Sequence, residues 1–507
     1  MAYQVDNKKI AKNTLALYFR MGFTMIVSFI ATRVTLKVLG VDDFGLNNLV
    51  SSVVALFSFL NASLGTAVQR YYSIEIGKED FVRLKNVFGC ALSMHLIVAI
   101  ITVLLMEVFA IFCLHKLNIP PERLYAAQVA FQISIVSLFF NILSVPYSAM
   151  LRAKELFSSI ATVDIVQAVL RLAILYLLYT INYDKLITLS CLNFVISMFY
   201  VVSLVVLARK EDACHSALCW DKDIIREMLK FISMLILTVL ASLFRDKGII
   251  VLINMFFGLA VNAAYAIAMQ VMSLTNTFVT NFKQSMVPQM MASYGYGDMP
   301  TMHRLINLGT KITFLLMLAI SMPIMFECDY ILRLWLGTPP EHSSELVILA
   351  LVNVNIASFT YFLYQGVHAT GNIIKQQSTF SFLYILNILL IYMFFNLGFS
   401  YTSALYVTIS ISVIQCIFNL YFARKTFAYD VKHFIFSLLP RCVVLVLISI
   451  FLFLLLTKFM EASLLRLCLS FLFSIILTII IGLYIVFDTK EQASVKKVFN
   501  VYNRFKR

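Results

Sequence analysis

Apolar runs of membrane-spanning length, separated by short polar joints, repeat along nearly the whole chain. A helix needs about 20 mostly apolar residues to cross the hydrocarbon core of a bilayer. Seven such runs fall near 14–36, 46–69, 86–112, 126–151, 159–181, 187–207 and 229–257. Seven more fall near 259–288, 307–327, 345–370, 378–397, 401–423, 436–457 and 463–487, which predicts fourteen spans in all. Lipid offers no partners to unpaired backbone groups, so the runs are read as helices and the fold class as an all-α polytopic membrane protein. Pro146 and Pro323 are expected to bend spans four and nine, and Pro288 to stand where span eight ends.

A faint internal repeat organises these spans. VLGVDDFGLNNLVSSV, leaving span one, aligns with FFGLAVNAAYAIAMQV, leaving span seven, so that Gly40 matches Gly258 at an offset of 218. Gly77 and Gly89 likewise bracket the joint before span three as Gly297 and Gly309 bracket that before span nine. An offset of six spans preserves orientation, which predicts two parallel six-helix lobes plus two extra C-terminal helices. The boundaries expected are 1–207 for the first lobe, 208–230 for a linker loop and 231–423 for the second lobe. Extra helices then occupy 424–487, followed by a basic tail at 488–507.

Composition agrees with a membrane bundle: 61% of residues are hydrophobic, only 13% are charged, and mean hydropathy is +0.89. The net charge of +14 does not point to nucleic acid, because it is sorted by loop. Lys8, Lys9, Lys12, Arg70, Lys78, Arg83, Lys85, Arg152, Lys154, Arg209 and Lys210 fall on one side, and outer joints hold few cations beyond Lys37, Lys116, Arg123 and Lys458. By the positive-inside rule both termini are expected in the cytoplasm. The start, MAYQVDNKKIAKNT, reads as an uncleaved signal-anchor. The tail spaces Val495, Val498, Tyr502 and Phe505 about one turn apart, as in an interfacial helix or a solvated basic tail.

Charges inside the spans are the main functional clue. Arg171 stands near the middle of span five, Arg245, Asp246 and Lys247 centre span seven, and Arg20 lies a third of the way along span one. A charge at a helix centre costs roughly 2.5 to 3.5 kcal/mol on insertion scales, so such groups face a wet cavity or a partner. Asp164, Gln167 and Arg171 share one helix face, with Arg20 and Arg171 both available to Asp164. Asp246 has Arg245 and Lys247 in the same way, and successive helix residues differ by about 100°, so the triplet cannot face one way. The excess of cations points to an anionic ligand. In a two-lobed bundle its site is expected near the midplane between lobes, with Arg20, Arg171, Arg245 and Lys247 as binding residues. Asp164, Asp246 and Glu107 are candidates for ion coupling or for salt bridges. Arg33 and Lys283, near span ends, are read as snorkelling to the interface. Embedded His95, Gln132, Asn141, Asn353, Tyr364 and His368 read equally as cavity lining or as hydrogen bonds between helices.

Other chemistry is thin. Most of the nine cysteines fall in spans; the exceptions Cys214-His215 and Cys219 lack zinc spacing, so no metal or cofactor is expected. Catalysis would rest on Asp42 and Asp43 in the first outer joint, where they read better as a helix cap, so no enzyme is expected.

VLGVDDFGLNNLVSSV, RDKGIIVLINMFFGLAVNAAYAIAMQV, the VPQM at 287–290 and the LRLWLG at 332–337 resemble the polysaccharide flippases of the multidrug, oligosaccharidyl-lipid and polysaccharide exporter superfamily. The resemblance runs over nearly the whole chain and is nearest to O-antigen flippases. It implies translocation of a polyprenyl-diphosphate-linked oligosaccharide between leaflets by alternating access, for cell-surface polysaccharide biosynthesis. Asp246 matches a frequent acidic position of that family, whereas Lys247 stands where Arg is often found, which weakens bidentate phosphate geometry. The resemblance also implies a lipid-tail groove at spans thirteen and fourteen, and partners among other polysaccharide-assembly membrane proteins. Moving two negative charges outward under an inside-negative potential of about 100 mV would be favoured by roughly 4 to 5 kcal/mol. The alternatives are a cation-coupled multidrug exporter of the same superfamily and a membrane glycosyltransferase or polymerase.

Overall fold

The computed structural model describes residues 7–55, 58–113, 121–216, 218–488 and 492. The first six residues, Lys116 and the tail stripe from Val495 to Phe505 lie outside the described residues, as do the side chains of Arg33 and Asp42.

Helices follow the apolar runs in order. They are α1 (Asn7–Ala55), α2 (Ser58–Gly77), α3 (Phe81–Cys113), α4 (Leu124–Ala153), α5 (Phe157–Leu177), α6 (Lys185–Ala208), α7 (Lys222–Gly295) and α8 (Met299–Phe326). There follow α9 (Cys328–Leu336), α10 (Ser343–Phe359), α11 (Tyr361–Thr370), α12 (Ile374–Asn396), α13 (Ser403–Phe427), α14 (Val431–His433), α15 (Leu439–Phe459) and α16 (Leu464–Ile485). No strand occurs among the described residues. Ten helices among them are long and apolar enough to cross a membrane by themselves. Two of these ten are composite. Span ten is α10 and α11 meeting at Thr360, and span thirteen is α14 and α15 joined by a π-helical turn at Phe434–Leu438.

The bends reveal the repeat. α1 and α7 are each two helices joined at a glycine with nearly the same backbone geometry: Gly40 has φ 78° and ψ 176°, Gly258 φ 79° and ψ −171°. Only glycine takes up that region readily, so the matched sequence segments fold into matched kinks.

Elsewhere the ends are set by caps. The Asp184 carboxylate accepts from the amides of Leu186 and Ile187 at the start of α6, Asp221 does the same for α7, and Asp298 for α8. Each satisfies amides that the first turn leaves without intrahelical partners. Pro288 does not end a helix: α7 runs on to Gly295, and a proline within a membrane helix is tolerated where neighbours re-satisfy the backbone.

The chain forms two units. Among the described residues the first holds 7–236 with 291–297, and the second holds 237–290 with 298–488. In the first, α4 packs against α2, α3 and α6 around Phe131, Ile135 and Ile142. The end of α2 crosses the end of α7 at backbone contact. A Cβ on Gly77 would stand 1.9 Å from the Ala292 carbonyl oxygen, and one on Gly295 2.2 Å from that of Ile74. Glycine is the residue that lets helix backbones touch, and these two are separated by the same offset as Gly40 and Gly258.

The second unit centres on Ile253, Leu346, Leu351, Ile391 and Leu405. Here α16 lies along α8 and is tied to it at both ends. The buried Glu327 carboxylate receives Arg466 at 2.8 and 2.7 Å and Ser470 at 3.0 Å. At the opposite end Asp488 receives Lys311 at 3.3 Å and Arg441 at 2.5 Å.

Candidate functional site

In the first unit, polar side chains from four helices converge. Arg20 on α1 donates to the Asp164 carboxylate on α5 at 2.7 Å, and Tyr200 on α6 is a hydrogen-bonding neighbour of the same carboxylate. Arg152, on the last turn of α4, has Asp164, Tyr200 and Arg20 as its charged and phenolic neighbours. Its Nη2 donates to Ser148 Oγ at 3.2 Å. The register of that last turn is fixed from outside: Asn13 donates to the Glu155 carbonyl at 3.0 Å and Lys9 to that of Lys154 at 3.2 Å. Glu155 holds the turn with φ 59°, in the left-handed region. One guanidinium, Arg20, therefore pairs with the carboxylate while a second, Arg152, stands near it.

In the second unit, Arg245 lies over the Tyr384 ring at 4.4 Å and gives its Nε and Nη2 to Asp246 at 2.9 and 2.7 Å. Deeper in that unit the groups are mostly neutral. Gln377 donates to the Tyr364 hydroxyl at 2.9 Å and meets the His368 ring at 2.7 Å, while Gln376 donates to Asn419 and Asn419 to Thr360 at the α10–α11 joint. The exception is Lys283, only 4% exposed, whose ammonium lies 3.4 Å from Asn276 Oδ1 and 4.6 Å over the Tyr361 ring.

The residues singled out from sequence thus separate into pairs and isolated groups. Arg20 takes Asp164, and Arg245 takes Asp246; Glu107 accepts from Gln132 at 2.9 Å. Arg171 and Lys247 are exposed and make no hydrogen bond or ion pair among the described residues. Arg20, Arg171, Asp164 and Glu107 belong to the first unit; Arg245, Asp246 and Lys247 belong to the second. Two inward cations were assigned otherwise from sequence. Arg152 read as a joint residue because its helix ends one residue later, yet Ser148 one turn earlier and Pro146 before it marked a helix continuing. Lys283 does not snorkel but is buried, because α7 extends about two turns beyond the expected end of span eight near Pro288.

A second feature of the second unit is an apolar groove of about 840 Å³. Its walls include Phe314 and Met325 of α8, Ile356 of α10, Cys416 of α13, Phe434 of the π turn and Val446 of α15. Span thirteen contributes to its lining, whereas α16 of span fourteen contributes no lining residue among those described. At the linker, burial first and Glu211 next push the Cys214 thiol up to about 12, which leaves it protonated and a poor ligand. Among the described residues no three His, Cys, Asp or Glu side chains cluster to hold a metal.

Residues 17–177, from α1 to the end of α5, match the MatE family model. The whole architecture is that of solved MATE transporters. A crystal structure of MATE in the bent conformation superposes with a TM-score of 0.73 at 14% identity, over 83% of this chain and 95% of that one. An outward-facing multidrug resistance MATE family transporter of the MOP superfamily gives 0.69 at 13%, over 83% and 96%. A MOP superfamily transporter from Pyrococcus furiosus, described as having a binding pocket of reverse polarity that suggests a different function, gives 0.67 at 14%, over 83% and 96%. Nearly all of each neighbour therefore finds a counterpart here, while part of this chain has none. No curated protein matches. The fold class is all-α and polytopic, the fold of those neighbours with its two lobes of six helices, and this chain adds C-terminal helices.

Proposed function

We propose that this protein is a multi-pass membrane transporter that moves an amphiphilic cargo by alternating access. Its fold supports transport over catalysis, since the solved chains it superposes on are transporters. For the cargo, the comparisons favour multidrug export over the lipid-linked oligosaccharide flippase implied by sequence resemblance, because a multidrug transporter stands among those neighbours. One observation supports an anionic cargo instead. In the first unit two guanidinium groups, Arg20 and Arg152, surround one carboxylate, Asp164. A lobe built to hold organic cations would carry the opposite excess, since like charges repel within a partly dehydrated site. The apolar groove beside α15 suits the chain of a polyprenyl diphosphate-linked sugar, which gives the flippase reading a place for both ends of its substrate. On that reading both termini are cytoplasmic, the membrane is a bacterial inner membrane, and polysaccharide-assembly enzymes are neighbours.

Reconstitution into liposomes separates the two. A fluorescent polyprenyl-diphosphate oligosaccharide becoming accessible to an impermeant quencher, with no uptake of ethidium against a proton or sodium gradient, supports the flippase. Ethidium transport with no lipid exchange supports the multidrug exporter and removes the flippase.

A further inference from the structure

We propose that Arg152, with Ser148 and Tyr200 beside it, is the phosphate-binding subsite of the first lobe, and that Gly65 is there to leave it room. The proposal deepens the anionic-cargo reading above and rests on it. Arg152 carries five N–H donors on a planar fork, and the structure uses one of them, on Ser148 Oγ at 3.2 Å. Among the described residues no carboxylate lies within salt-bridge distance of it, although Asp164 is a neighbour, because Arg20 already occupies that carboxylate at 2.7 Å. A partly exposed guanidinium inside a helical lobe with most of its donors unused is an expensive arrangement unless an acceptor visits it.

The surroundings define the visitor. Donors converge from separate helices: Arg152 from α4, held by Ser148, whose hydroxyl donates to the Val145 carbonyl, Tyr200 from α6, and Arg20 from α1. Donors arriving from different directions suit a tetrahedral anion, whose oxygens point outward on all sides, and guanidinium is the side chain best matched to two phosphate oxygens at once. Opposite the fork, α2 presents Gly65, where a Cβ would stand 3.2 Å from Arg152 Nη2 and 3.3 Å from Val145 Cγ1. Any side chain there would lean on the guanidinium. By contrast Arg171 and Lys247 are single exposed cations without a second donor from another helix.

Isothermal titration of the purified full chain in detergent tests this, with farnesyl diphosphate, inorganic pyrophosphate and tetraphenylphosphonium as probes. Wild-type protein is expected to bind farnesyl diphosphate, and Arg152→Gln to bind it about tenfold more weakly or worse, as loss of a charge-assisted hydrogen bond requires. Arg304→Gln, at an exposed arginine of α8 in the second unit, is expected to bind as wild type does. Gly65→Ala keeps the charge and the helix yet crowds the fork, so it should weaken binding severalfold; it carries the test if Arg152→Gln fails to fold. Binding of pyrophosphate as well as the lipid places recognition in the phosphates, and binding of the lipid alone places part of it in the chain; either supports the site when lost in Arg152→Gln. Undiminished binding in folded Arg152→Gln, or in Gly65→Ala if that must stand in, overturns the subsite and leaves an anionic cargo standing. Wild-type protein that binds tetraphenylphosphonium and neither diphosphate overturns both.

Discussion

The two units handle interior polarity differently. Around Arg20, Asp164 and Arg152 the first unit gathers two guanidinium groups near one carboxylate, whereas around Gln376, Gln377, Tyr364 and Asn419 the second holds amides, hydroxyls and an imidazole that bond to one another, with the Gln376 and Gln377 side-chain oxygens left without a partner among the described residues. The second unit also carries ion pairs: Arg245–Asp246 within α7, Glu327–Arg466 between the end of α8 and the start of α16, and Asp488–Lys311 between the far end of α16 and the middle of α8, the last two binding helix to helix. The first cluster thus gathers two cations around one carboxylate, while the Glu327 and Asp488 pairs of the second unit join helices.

The sharpest way to break that contrast is at Glu327. Arg466→Met strands a carboxylate whose side chain is 0% exposed, and an unpaired buried charge costs about 3 to 5 kcal/mol. The melting temperature in detergent should fall by many degrees, and Glu327→Gln added to Arg466→Met should recover part of the loss. An unchanged melting temperature would mean the pair does not hold α16. Next in size are the bends. Gly40→Ala and Gly258→Ala force an alanine into a region that costs about 1 to 3 kcal/mol, so both should destabilise and by similar amounts. A large effect at one and none at the other would dissolve the equivalence of the halves.

The bends also show how far the sequence could be read. Span positions, the repeat and its glycines were legible, because about twenty apolar residues in lipid have few alternatives to a helix and a positive φ favours glycine. What was not legible was direction. Hydropathy sees Arg152 and Lys283 as residues near the ends of runs, and only the length of α4 and α7 turns them inward. Arg171 and Arg20 look alike as embedded cations, and it is the approach of α1 to α5 that gives Arg20 a partner and leaves Arg171 exposed.

A smaller effect separates neutral from charged interiors. Gln377→Leu in the second unit removes the bonds to Tyr364 and His368, at about 1 kcal/mol for each. Unfolding of this variant should not depend on salt, while that of Asp164→Asn, which leaves Arg20 and Arg152 facing each other, should. Smallest is the pH response of the outer joint. Burial alone would raise the Asp184 carboxyl, but the Ile187 and Leu186 amides and the Arg123 guanidinium outweigh it and hold it below its ordinary value. A depressed carboxylate stabilises above its unfolded pKa of about 4 and loses that contribution as pH falls through its folded value. Asp184→Asn should therefore lower the melting temperature slightly at neutral pH and flatten its decline in acid.

The double attachment of α16 reaches beyond stability. Fastened to α8 through Glu327 near one end and Asp488 near the other, the last helix has no freedom to slide or tilt alone. A fluorophore or spin label on its exposed face, at Leu472 or Ile476 for example, would report the second unit's movement as a whole without touching any residue that meets cargo. On the transport reading proposed above, that makes the least conspicuous helix a place from which to watch the working cycle.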